Sequence, residues 1–521
     1  MSAPAAGGIR LADLVAVLSL GTDLGLGQPM EHAMRQCLIA LRLADHLQLG
    51  EDEREVLYYT ALLAYVGCHV DAHEQARWLG DDLVAKGDAY AYDLEDPRAG
   101  ITYLVGHLGA GRPPLERLRL GLAFLTGDGR RAVDAMFENH SLATNRLATE
   151  LGLGERVTTS LDQTFERWDG KGLIRLRGSD CCPTARLTIL VDAVEVFHRT
   201  LGIDAAVAAA RERSGTQFDP ALVELLADHA GEVFDGLDGM STWDAVIAAE
   251  PALERRLSAE ELERALEAVA DFVDLKSPHT LGHSRRVAQL AAGGADRLGL
   301  PPDEVRAIRW AGLLHDLGRL GVPNTIWDKP GPLGHAEWER VRLHPYLSER
   351  MISYSPALAP LAAIAGAHHE RLDGSGYPRG VHGAALTPAM RVLAAADVYS
   401  AVTETRPHRP SRSEQEARTL VQAEVRAGRL DADAADAVFA AAGHRVARRR
   451  EGPAGLTARE IEVLRLLARG HSSKEIAEQL VITRKTARNH VQHIYEKAGV
   501  SNRAQASLFA VSHGLMSDFE R

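Results

Sequence analysis

The sequence predicts an all-α protein with tandem helical domains and a smaller helical domain at the C-terminus. Apolar residues recur at helical spacing along most of the chain, and alternating strand patterns are few. Aromatic residues make up 5% of the chain and hydrophobic residues 45%, so aliphatic side chains must fill the cores. A length of 521 residues corresponds to about three domains.

The composition excludes several classes of protein. A net charge of −12 argues against nucleic-acid binding along the whole chain, but it leaves room for one basic module. Cys37, Cys68, Cys181 and Cys182 form no C-x-x-C pair, so we expect neither a structural zinc site nor a disulfide framework. The chain has no apolar run of 18 residues and no basic N-terminus followed by an apolar stretch, so we expect a cytoplasmic protein without a membrane partner.

Two parts of the chain resemble each other. Residues 31–50 align with 282–301, and ALLAYVG (61–67) aligns with GLLHDLG (312–318), both at an offset of 251 residues. Further along, FERWDGKG (165–172) matches HERLDGSG (369–376), and 183–197 matches 388–402. Four matches in the same order predict a tandem duplication.

These matches and the breaks in composition predict six segments. We call 27–232 the first region, 260–443 the second region and 456–521 the C-terminal domain. The other segments are an N-terminal segment (1–26), a helical connector (233–259) and a basic linker (444–455) that contains Arg448, Arg449 and Arg450.

The second region contains imidazoles and carboxylates in an ordered series. Imidazole and carboxylate together suit first-row metals such as iron or manganese. An Asp can bridge two ions, and two ions about 3.5–4 Å apart can activate water for phosphoryl displacement. A single buried His or a single HD pair is more often a satisfied core residue, whereas the HHERLDGSGYPRG run is far more specific. The candidate ligands are His283, His315, Asp316, His344, His368, His369 and Asp397.

The motifs GHSRRVA, LLHDLGRLGVPNTIWDKPGPL, HHERLDGSGYPRG and ADVYSAVTETRPHR resemble the HD-GYP domain, a subgroup of the HD-superfamily metal phosphohydrolases. The resemblance covers residues 275–410. It implies hydrolysis of cyclic di-GMP to linear pGpG or GMP at a site with two divalent metal ions, iron or manganese.

The resemblance also implies roles for individual residues. His283, His315, Asp316 and Asp397 would hold one ion, and Asp316 would bridge to a second ion held by His344, His368 and His369. Gly376, Tyr377 and Pro378 would form a loop beside the substrate. Arg379, Arg406 and Arg409 are candidate phosphate or guanine contacts, because Arg binds phosphate in a bidentate manner, or they are simply solvated.

Arg319 departs from the family pattern, which places Lys after the HD-x-G motif. A Lys ammonium can donate a proton to a leaving oxygen, whereas Arg stays charged and is a poor general acid. Arg319 could still stabilise charge on a phosphate. We therefore assign Arg319 and Asp316 as catalytic candidates, and the rate of turnover depends on Arg319.

The first region lacks most of these ligands. Ala64 and Tyr65 replace the HD pair, and Thr164 and Phe165 replace the HH pair. His32 and Asp192 alone keep ligand positions, too few for two metals. We expect a degenerate copy that serves as a dimerisation surface, a ligand sensor or a brace. The HVDAHE run (69–74) is either a replacement cluster or, more simply, a polar helix end.

The C-terminal domain is the basic module. Residues 456–505 contain nine Lys and Arg residues and five Asp and Glu residues. LTAREIEVLRLLARG, SSKEIAEQL and TRKTARNHVQHIYEKAGV resemble the LuxR/FixJ-type helix-turn-helix domain of four helices. The resemblance implies binding to double-stranded DNA as a homodimer, with the start of the second motif helix in the major groove. The candidate DNA-binding residues are Lys474, Arg484, Lys485, Thr486, Arg488 and His490.

Together these patterns predict a cyclic di-GMP phosphodiesterase fused to a transcriptional regulator. One alternative is a transcription factor whose HD-GYP site binds the cyclic dinucleotide with little or no turnover because of Arg319. A second alternative is a phosphohydrolase for another nucleotide.

Overall fold

The computed structural model describes residues 8–124, 126, 129–251, 255–445, 453–480 and 482–516. Helices dominate this part of the chain, and its only strand-like pairings are three isolated bridges. The predicted all-α fold class is confirmed. The chain divides into two compact units, Met1–His444 and Arg445–Arg521. None of the described helices is long and apolar enough to cross a membrane.

Among the described residues, the first part of the larger unit contains thirteen α-helices and its second part contains nine. The first thirteen are α1 (Leu11–Gly25), α2 (His32–His46), α3 (Glu51–Leu63), α4 (Ala72–Leu79), α5 (Asp82–Ala89), α6 (Pro97–His107), α7 (Pro114–Ala123), α8 (Gly129–Glu150), α9 (Glu155–Asp162), α10 (Pro183–Leu201), α11 (Ile203–Glu212), α12 (Pro220–Phe234) and α13 (Thr242–Ala248). The next nine are α14 (Ala259–Asp274), α15 (His283–Arg297), α16 (Pro302–Leu314), α17 (Asn324–Trp327), α18 (His335–Tyr354), α19 (Ala359–Ala365), α20 (Pro388–Thr403), α21 (Glu414–Arg426) and α22 (Ala432–Ala441).

Short 3-10 turns complete both parts of the unit. They span Val66–His69, Gly178–Asp180, Leu317–Gly321 and Gly383–Ala385. The turn at Leu317–Gly321 directly follows the HD pair and packs against α1. Gly21 on α1 allows this approach, because a Cβ there would lie 2.9 Å from the Leu320 Cδ1 atom. Helix α1 is thus buried against the back of the HD motif.

Hydrogen bonds recur at matching positions in the two parts. The Asp23 carboxylate accepts from the Ala33 amide at 3.0 Å, and the Asp274 carboxylate accepts from the Ser284 amide at 2.9 Å, 251 residues later. These bonds fix the turns that lead into α2 and α15. Both carboxylates are buried, and burial raises the pKa of each to about 7.

A second shared feature is a buried glutamate that binds the loop before α10 or α20. The Glu166 carboxylate accepts from the amides of Ile174 and Leu176, both at 2.7 Å. The Glu370 carboxylate accepts from the amides of Arg379 and Val381, both at 2.8 Å. In each part, hydrogen bonds to a buried glutamate therefore hold the loop backbone in place.

The described residues of the C-terminal domain form four α-helices, as the sequence predicts. They are α23 (Ala458–Ala468), α24 (Ser473–Gln479), α25 (Arg484–Ala498) and α26 (Arg503–Ser512), preceded by a 3-10 turn at Pro453–Gly455. Thr457 and Glu460 form the capping box at the start of α23, and Ser472 caps α24. Gly499 ends α25 with φ 64°, a left-handed conformation that suits glycine. Arg448, Arg449 and Arg450 lie outside the described residues.

Candidate active site

The seven predicted ligands converge from five parts of the second region. His283 begins α15, His315 and Asp316 directly follow α16, and His344 lies in α18. His368 and His369 follow α19, and Asp397 lies in α20. All seven are buried except His369, whose side chain is 20% exposed. This face of His369 opens the cluster to solvent.

Asp316 lies between two groups of imidazoles. Its Oδ2 atom is 3.7 Å from His283 Nε2 and 3.6 Å from His315 Nε2. Its Oδ1 atom is 3.4 Å from His344 Nε2 and 3.7 Å from His368 Nε2. Each carboxylate oxygen thus faces a different pair of imidazoles.

Asp397 spans the same two groups. Its Oδ1 atom is 3.3 Å from His283 Nε2, and its Oδ2 atom is 3.5 Å from His369 Nδ1. Three overlapping donor groups result, each with its ligand atoms within 4.8 Å of one another. They are His283/His315/Asp397, His315/Asp316/His368 and His344/His368/His369.

Backbone carbonyls orient three of the imidazoles. A carbonyl oxygen can only accept a hydrogen bond, so the Nδ1 atom must carry the proton and Nε2 presents its lone pair to the cluster. Each acceptor lies three residues earlier in the chain. His315 donates to Gly312 at 2.7 Å, His344 to Val341 at 2.6 Å and His368 to Ala365 at 2.6 Å.

Glu404 orients the fourth imidazole. Its Oε1 atom accepts from His283 Nδ1 at 3.0 Å and from the Ser400 hydroxyl at 2.9 Å. The sequence analysis did not assign Glu404, which lies within the quoted ADVYSAVTETRPHR motif. A carboxylate about two helical turns beyond the predicted ligand Asp397 is a usable signal, because ligating His residues commonly donate to carboxylates.

The donor set fits metal cations. The lone pairs of His344 Nε2 and His368 Nε2 face each other at 3.1 Å, an arrangement that is repulsive without a positive charge beside it. His315 Nε2 is buried and has no hydrogen-bond partner. Cations beside these nitrogens would give each lone pair a partner, and neutral imidazoles of this kind are the form that binds metals.

The pKa shifts of both carboxyls and of His368 also suit a cation, whereas hydrogen bonds to Asp397 and Glu404 outweigh burial and raise the pKa of His283 to about 9. Burial raises the pKa of the Asp316 carboxyl, but the facing His315 and Arg319 outweigh burial and hold it well below its usual value. The pKa of Asp397 is likewise held low, because His283 and His369 outweigh its burial. Burial and the neighbouring imidazoles lower the pKa of His368 to about 3. Ionised carboxylates and neutral imidazoles are the forms that bind metals.

Arg319 lies against the predicted bridging ligand. Its Nη1 atom is 3.1 Å from Asp316 Oδ2, and its guanidinium carbon lies 4.0 Å from the centre of the Trp327 ring. The Trp327 ring also contacts the His344 ring edge to face, with centroids 5.5 Å apart. Trp327 thus forms a wall of the site that supports both a charged side chain and a ligand.

The Gly-Tyr-Pro loop covers the open side of the cluster. A Cβ on Gly376 would lie 2.4 Å from the Arg371 amide nitrogen and 2.5 Å from the His369 carbonyl oxygen, so only glycine fits. The Tyr377 ring lies 4.7 Å from the His369 ring, and the Tyr377–Pro378 peptide is cis.

The three candidate arginines beyond the loop have different surroundings. Arg406 bonds Glu404 at 2.8 Å and is nearly buried, and burial together with the neighbouring Arg319 lowers its pKa. Arg379 pairs with Glu349 at 2.5 Å and is half exposed. Arg409 donates to the carbonyls of Ala401, Val402 and Glu404 at the end of α20. Arg406 is therefore best placed to act at the site, while Arg409 holds the backbone.

The corresponding position in the first region is filled by side chains. His32 Nε2 lies 3.0 Å from Asp192 Oδ1, and His32 Nδ1 lies 2.5 Å from Glu195 Oε2. The Tyr90 hydroxyl donates to Asp192 Oδ1 at 3.0 Å. The Tyr65 ring packs edge to face on Phe165, with centroids 5.7 Å apart. These contacts satisfy His32 and Asp192 without a cation.

The HVDAHE run is a polar helix end rather than a replacement cluster. His69 is buried and bonds the carbonyls of Val66 and Phe272 at 3.0 and 2.8 Å. His73 pairs with Asp328 at 2.9 Å. Neither histidine belongs to a group of potential metal ligands among the described residues.

In the C-terminal domain, the predicted contact residues lie at the start of α25 and on α24. Arg484, Lys485, Thr486 and Arg488 are exposed, whereas Ala487 is buried in the core. The Thr486 amide donates to Thr483, which caps the helix. Lys474 on α24 is exposed, and His490 is partly buried, which lowers its pKa. The small side chain at 487 is thus a packing feature of this domain.

Comparisons with known proteins agree with this architecture. Residues 267–434 match the family model for the HD domain, and residues 454–510 match the model for bacterial regulatory proteins of the luxR family. The chain is 33% identical over 413 residues to the 3'3'-cGAMP-specific phosphodiesterase 3 of Vibrio cholerae, which covers 77% of this chain and 87% of that protein.

Other similarities cover different shares of the chain. The cyclic di-GMP phosphodiesterase response regulator RpfG of Xanthomonas campestris is 37% identical over 166 residues, 30% of this chain and 44% of that protein. A crystal structure of a cyclic GMP-AMP specific phosphodiesterase of V. cholerae superposes with a TM-score of 0.58 at 27% identity, and it covers 84% of this chain and 98% of that one. The chain therefore belongs to the HD-GYP family of cyclic-nucleotide phosphodiesterases and carries a C-terminal domain of the LuxR family.

Proposed function

We propose that the second region hydrolyses a 3'3'-linked cyclic dinucleotide with the help of two divalent metal ions, iron or manganese. The observation that carries this proposal is the placement of Asp316, whose two carboxylate oxygens face two separate pairs of imidazoles. One ion would be held by His283, His315, Asp316 and Asp397, and the other by Asp316, His344, His368 and His369. When bound, such ions polarise a phosphate and activate water.

The surrounding side chains would bind and orient the substrate. Arg319 and Arg406 place two guanidinium groups beside the carboxylates, where they would attract the phosphates and stabilise charge that develops on them. Tyr377 would offer its ring to a base or ribose, and Gly376 and Pro378 would fix the shape of that loop. Arg379, paired with Glu349, and Arg409, bonded to backbone, remain weaker candidates for substrate contact.

The relatives favour 3'3'-cGAMP as the first substrate to test. The matched relative named for 3'3'-cGAMP aligns over 413 residues, which is more than the second region alone contains, whereas the cyclic di-GMP relative RpfG aligns over 166. Cyclic di-GMP, predicted from the sequence motifs, is the second candidate. Water added across one phosphodiester bond gives a linear dinucleotide, such as pGpG from cyclic di-GMP, and a second hydrolysis gives mononucleotides such as GMP.

The test is direct. Protein loaded with manganese or iron is incubated with 3'3'-cGAMP or cyclic di-GMP, and the products are separated by chromatography. We expect linear dinucleotide or mononucleotide from the wild type and none from the Asp316→Ala variant. Equal product from both proteins, or from neither, contradicts the proposal.

A second candidate function rests on Arg319. This side chain stands where the family pattern has Lys, and arginine is a poor general acid. It pairs with Asp316 and stacks on Trp327. The region would then be a ligand-binding switch with slow turnover. A rise in kcat of about tenfold or more in Arg319→Lys, at unchanged metal content, favours this second function. An unchanged or lower kcat favours a phosphodiesterase that works with Arg319 in place.

We propose that the first and second regions arose by tandem duplication and that the first is a degenerate copy. The paired bonds of Asp23 and Asp274, at the predicted offset of 251, support this view. They also suggest that the first copy begins at α1, within the segment 1–26, since α1 precedes α2 as α14 precedes α15. The boundaries of the connector 233–259 and of the basic linker 444–455 remain predictions.

We further propose that the C-terminal domain binds double-stranded DNA as a homodimer. The exposed cations at the start of α25 support contact with base edges and phosphates. Changing Arg484, Lys485 and Arg488 together to Ala should weaken binding to genomic promoter fragments at least about hundredfold and flatten its salt dependence. Wild-type affinity in that variant contradicts the assignment.

A further inference from the structure

The first region reaches the active site through a buried polar contact. Asp82 begins α5 and is fully buried, and its Oδ1 atom accepts from the Asn324 amide at 2.8 Å. Asn324 is the first residue of α17, and its side chain donates to the Lys276 carbonyl at 2.6 Å and to Asp328 at 2.9 Å. An amide at the start of a helix has no partner within that helix, so Asp82 supplies one from another part of the chain.

The other end of α17 is a wall of the active site. Trp327, three residues beyond Asn324, stacks on Arg319 at 4.0 Å and packs on the ligand His344. Its indole nitrogen also donates to the Arg319 carbonyl at 3.3 Å. A shift of this short helix therefore moves both the charged side chain and the support of a ligand.

Lys276 makes the contact sensitive to charge. Its ammonium group is buried without a hydrogen-bond partner, and Asp82 Oδ2, also without one, lies 3.8 Å away and 3.5 Å from the Lys86 ammonium group. A buried charge that loses its partner is strongly unfavourable, commonly by several kcal/mol. Asp82 thus both holds the start of α17 and compensates Lys276 beneath it.

We propose that Asp82 is a positioning residue for the active site, through which the degenerate first region holds α17, and with it Trp327 and Arg319, in the arrangement used for catalysis. The effect on turnover rests on the proposed phosphodiesterase function. In this proposal the first region supports the active site through the contact between Asp82 and Asn324.

The test compares Asp82→Ala with Asp88→Ala in the full-length, manganese-loaded protein. Asp88 lies on the same helix, is exposed and pairs only within the first region, with His107. We expect kcat to fall about tenfold in Asp82→Ala and to stay unchanged in Asp88→Ala, because small misplacements of catalytic groups are costly. Asp82→Asn should recover only part of the loss, since its amide oxygen can still accept from Asn324 but the side chain no longer compensates Lys276.

A double-mutant cycle separates positioning from general loss of stability. In the Trp327→Ala background the Asp82→Ala change should cost less than about twofold, because the two residues act through the same helix. Additive losses overturn the proposal. Hydrogen exchange supplies a readout without turnover: the amides of 324–328 should exchange faster in Asp82→Ala than in Asp88→Ala. If the wild type hydrolyses no cyclic dinucleotide, the proposed function fails, and unchanged exchange at 324–328 overturns the positioning role by itself.

Discussion

The first and second regions place similar frameworks around very different centres. In the second region, two carboxylates and five imidazoles face one another, and the buried His315 Nε2 atom has no hydrogen-bond partner. In the first region, the position of that centre holds a closed network of His32, Asp192, Glu195 and Tyr90. The framework therefore does not depend on the metal ligands for its shape.

This comparison sorts the motif residues into two kinds. Glu370 and Gly376 have counterparts in Glu166 and Gly172 that make the same close contacts, although the first region lacks the ligand set. These residues shape the loop. His315 and Asp316 have no counterparts, because Ala64 and Tyr65 stand there, and their chemistry is what distinguishes the second region.

The largest expected difference between the regions is in turnover. Asp316→Ala removes the carboxylate that faces both imidazole pairs, and we expect turnover to fall about a thousandfold or more, since single charge-stabilising groups in active sites are worth 10²–10³. Bound metal, measured by mass spectrometry of the metal content, should fall with it. The matched change Asp192→Ala in the first region should leave metal content and turnover unchanged. Loss of metal in both variants contradicts the distinction.

The second prediction concerns the ion pair of His32 in the first region. Contacts with Asp192 and Glu195 outweigh burial and raise the pKa of His32 to about 10, while His32 outweighs burial and lowers the pKa of Glu195 to about 2. A raised His pKa stabilises the fold fully below the unfolded value of about 6.5, and this stability is lost as pH rises through 10. A lowered Glu pKa stabilises above about 4.5, and this is lost as pH falls through 2. The pair contributes most between about pH 4.5 and 6.5.

Urea unfolding at several pH values measures this contribution. His32→Gln should lower the free energy of unfolding by about 3 kcal/mol near pH 6, as expected for a broken buried ion pair. The deficit should shrink as pH rises from 6.5 to 10, because the wild type loses the same interaction. A deficit that is constant with pH would show that His32 acts by packing alone.

The third prediction uses the two loop glycines. A Cβ on Gly376 or Gly172 would approach backbone or side-chain atoms within 2.4–2.6 Å, so each Gly→Ala change should lower the free energy of unfolding by about 1–3 kcal/mol. Only Gly376→Ala should also reduce turnover, because Tyr377 follows it. Thermal unfolding and the turnover assay check both parts. Equal losses of turnover in the two variants would show that the loops are not distinct in function.

The smallest expected effect is that of Tyr90→Phe. The change removes the hydroxyl that donates to Asp192, and we expect a loss of about 1 kcal/mol, typical of one hydrogen bond. Turnover should not change. An increase in bound metal in this variant would mean that the Tyr90 hydroxyl excludes a cation from the first region.

Much of the site was predictable because its signals are local. The HD and HH pairs and the Gly-Tyr-Pro run indicated the seven candidate ligands, and the structure brings their side chains together. The capping boxes at Thr457 and Ser472 were likewise readable, because each consists of residues three apart. The roles of the ligands in holding metal remain predictions for the assays above.

Other features were not predictable from the residues near them. Glu195 pairs with His32 across 163 positions, and Asp82 bonds Asn324 across 242. Tyr90, which bonds Asp192, lies in a stretch of the first region that has no equivalent in the second region. The offset between the matching sequences changes from 251 to 204 across this stretch. Neither spacing nor periodicity carries information about such contacts, because they depend on how helices pack.

The sequence by itself determined the all-α class, the order of the regions, the helix starts and the chemical identity of the donors. These follow from periodicity, caps and side-chain type, which act within a few residues. Only the tertiary structure decided which oxygen of Asp316 faces which imidazoles, that Glu404 orients His283, and that Asp82 supports the active-site wall. Each depends on groups brought together from distant positions, where distances of a few ångströms determine whether a charge is paired, shared or left for a metal.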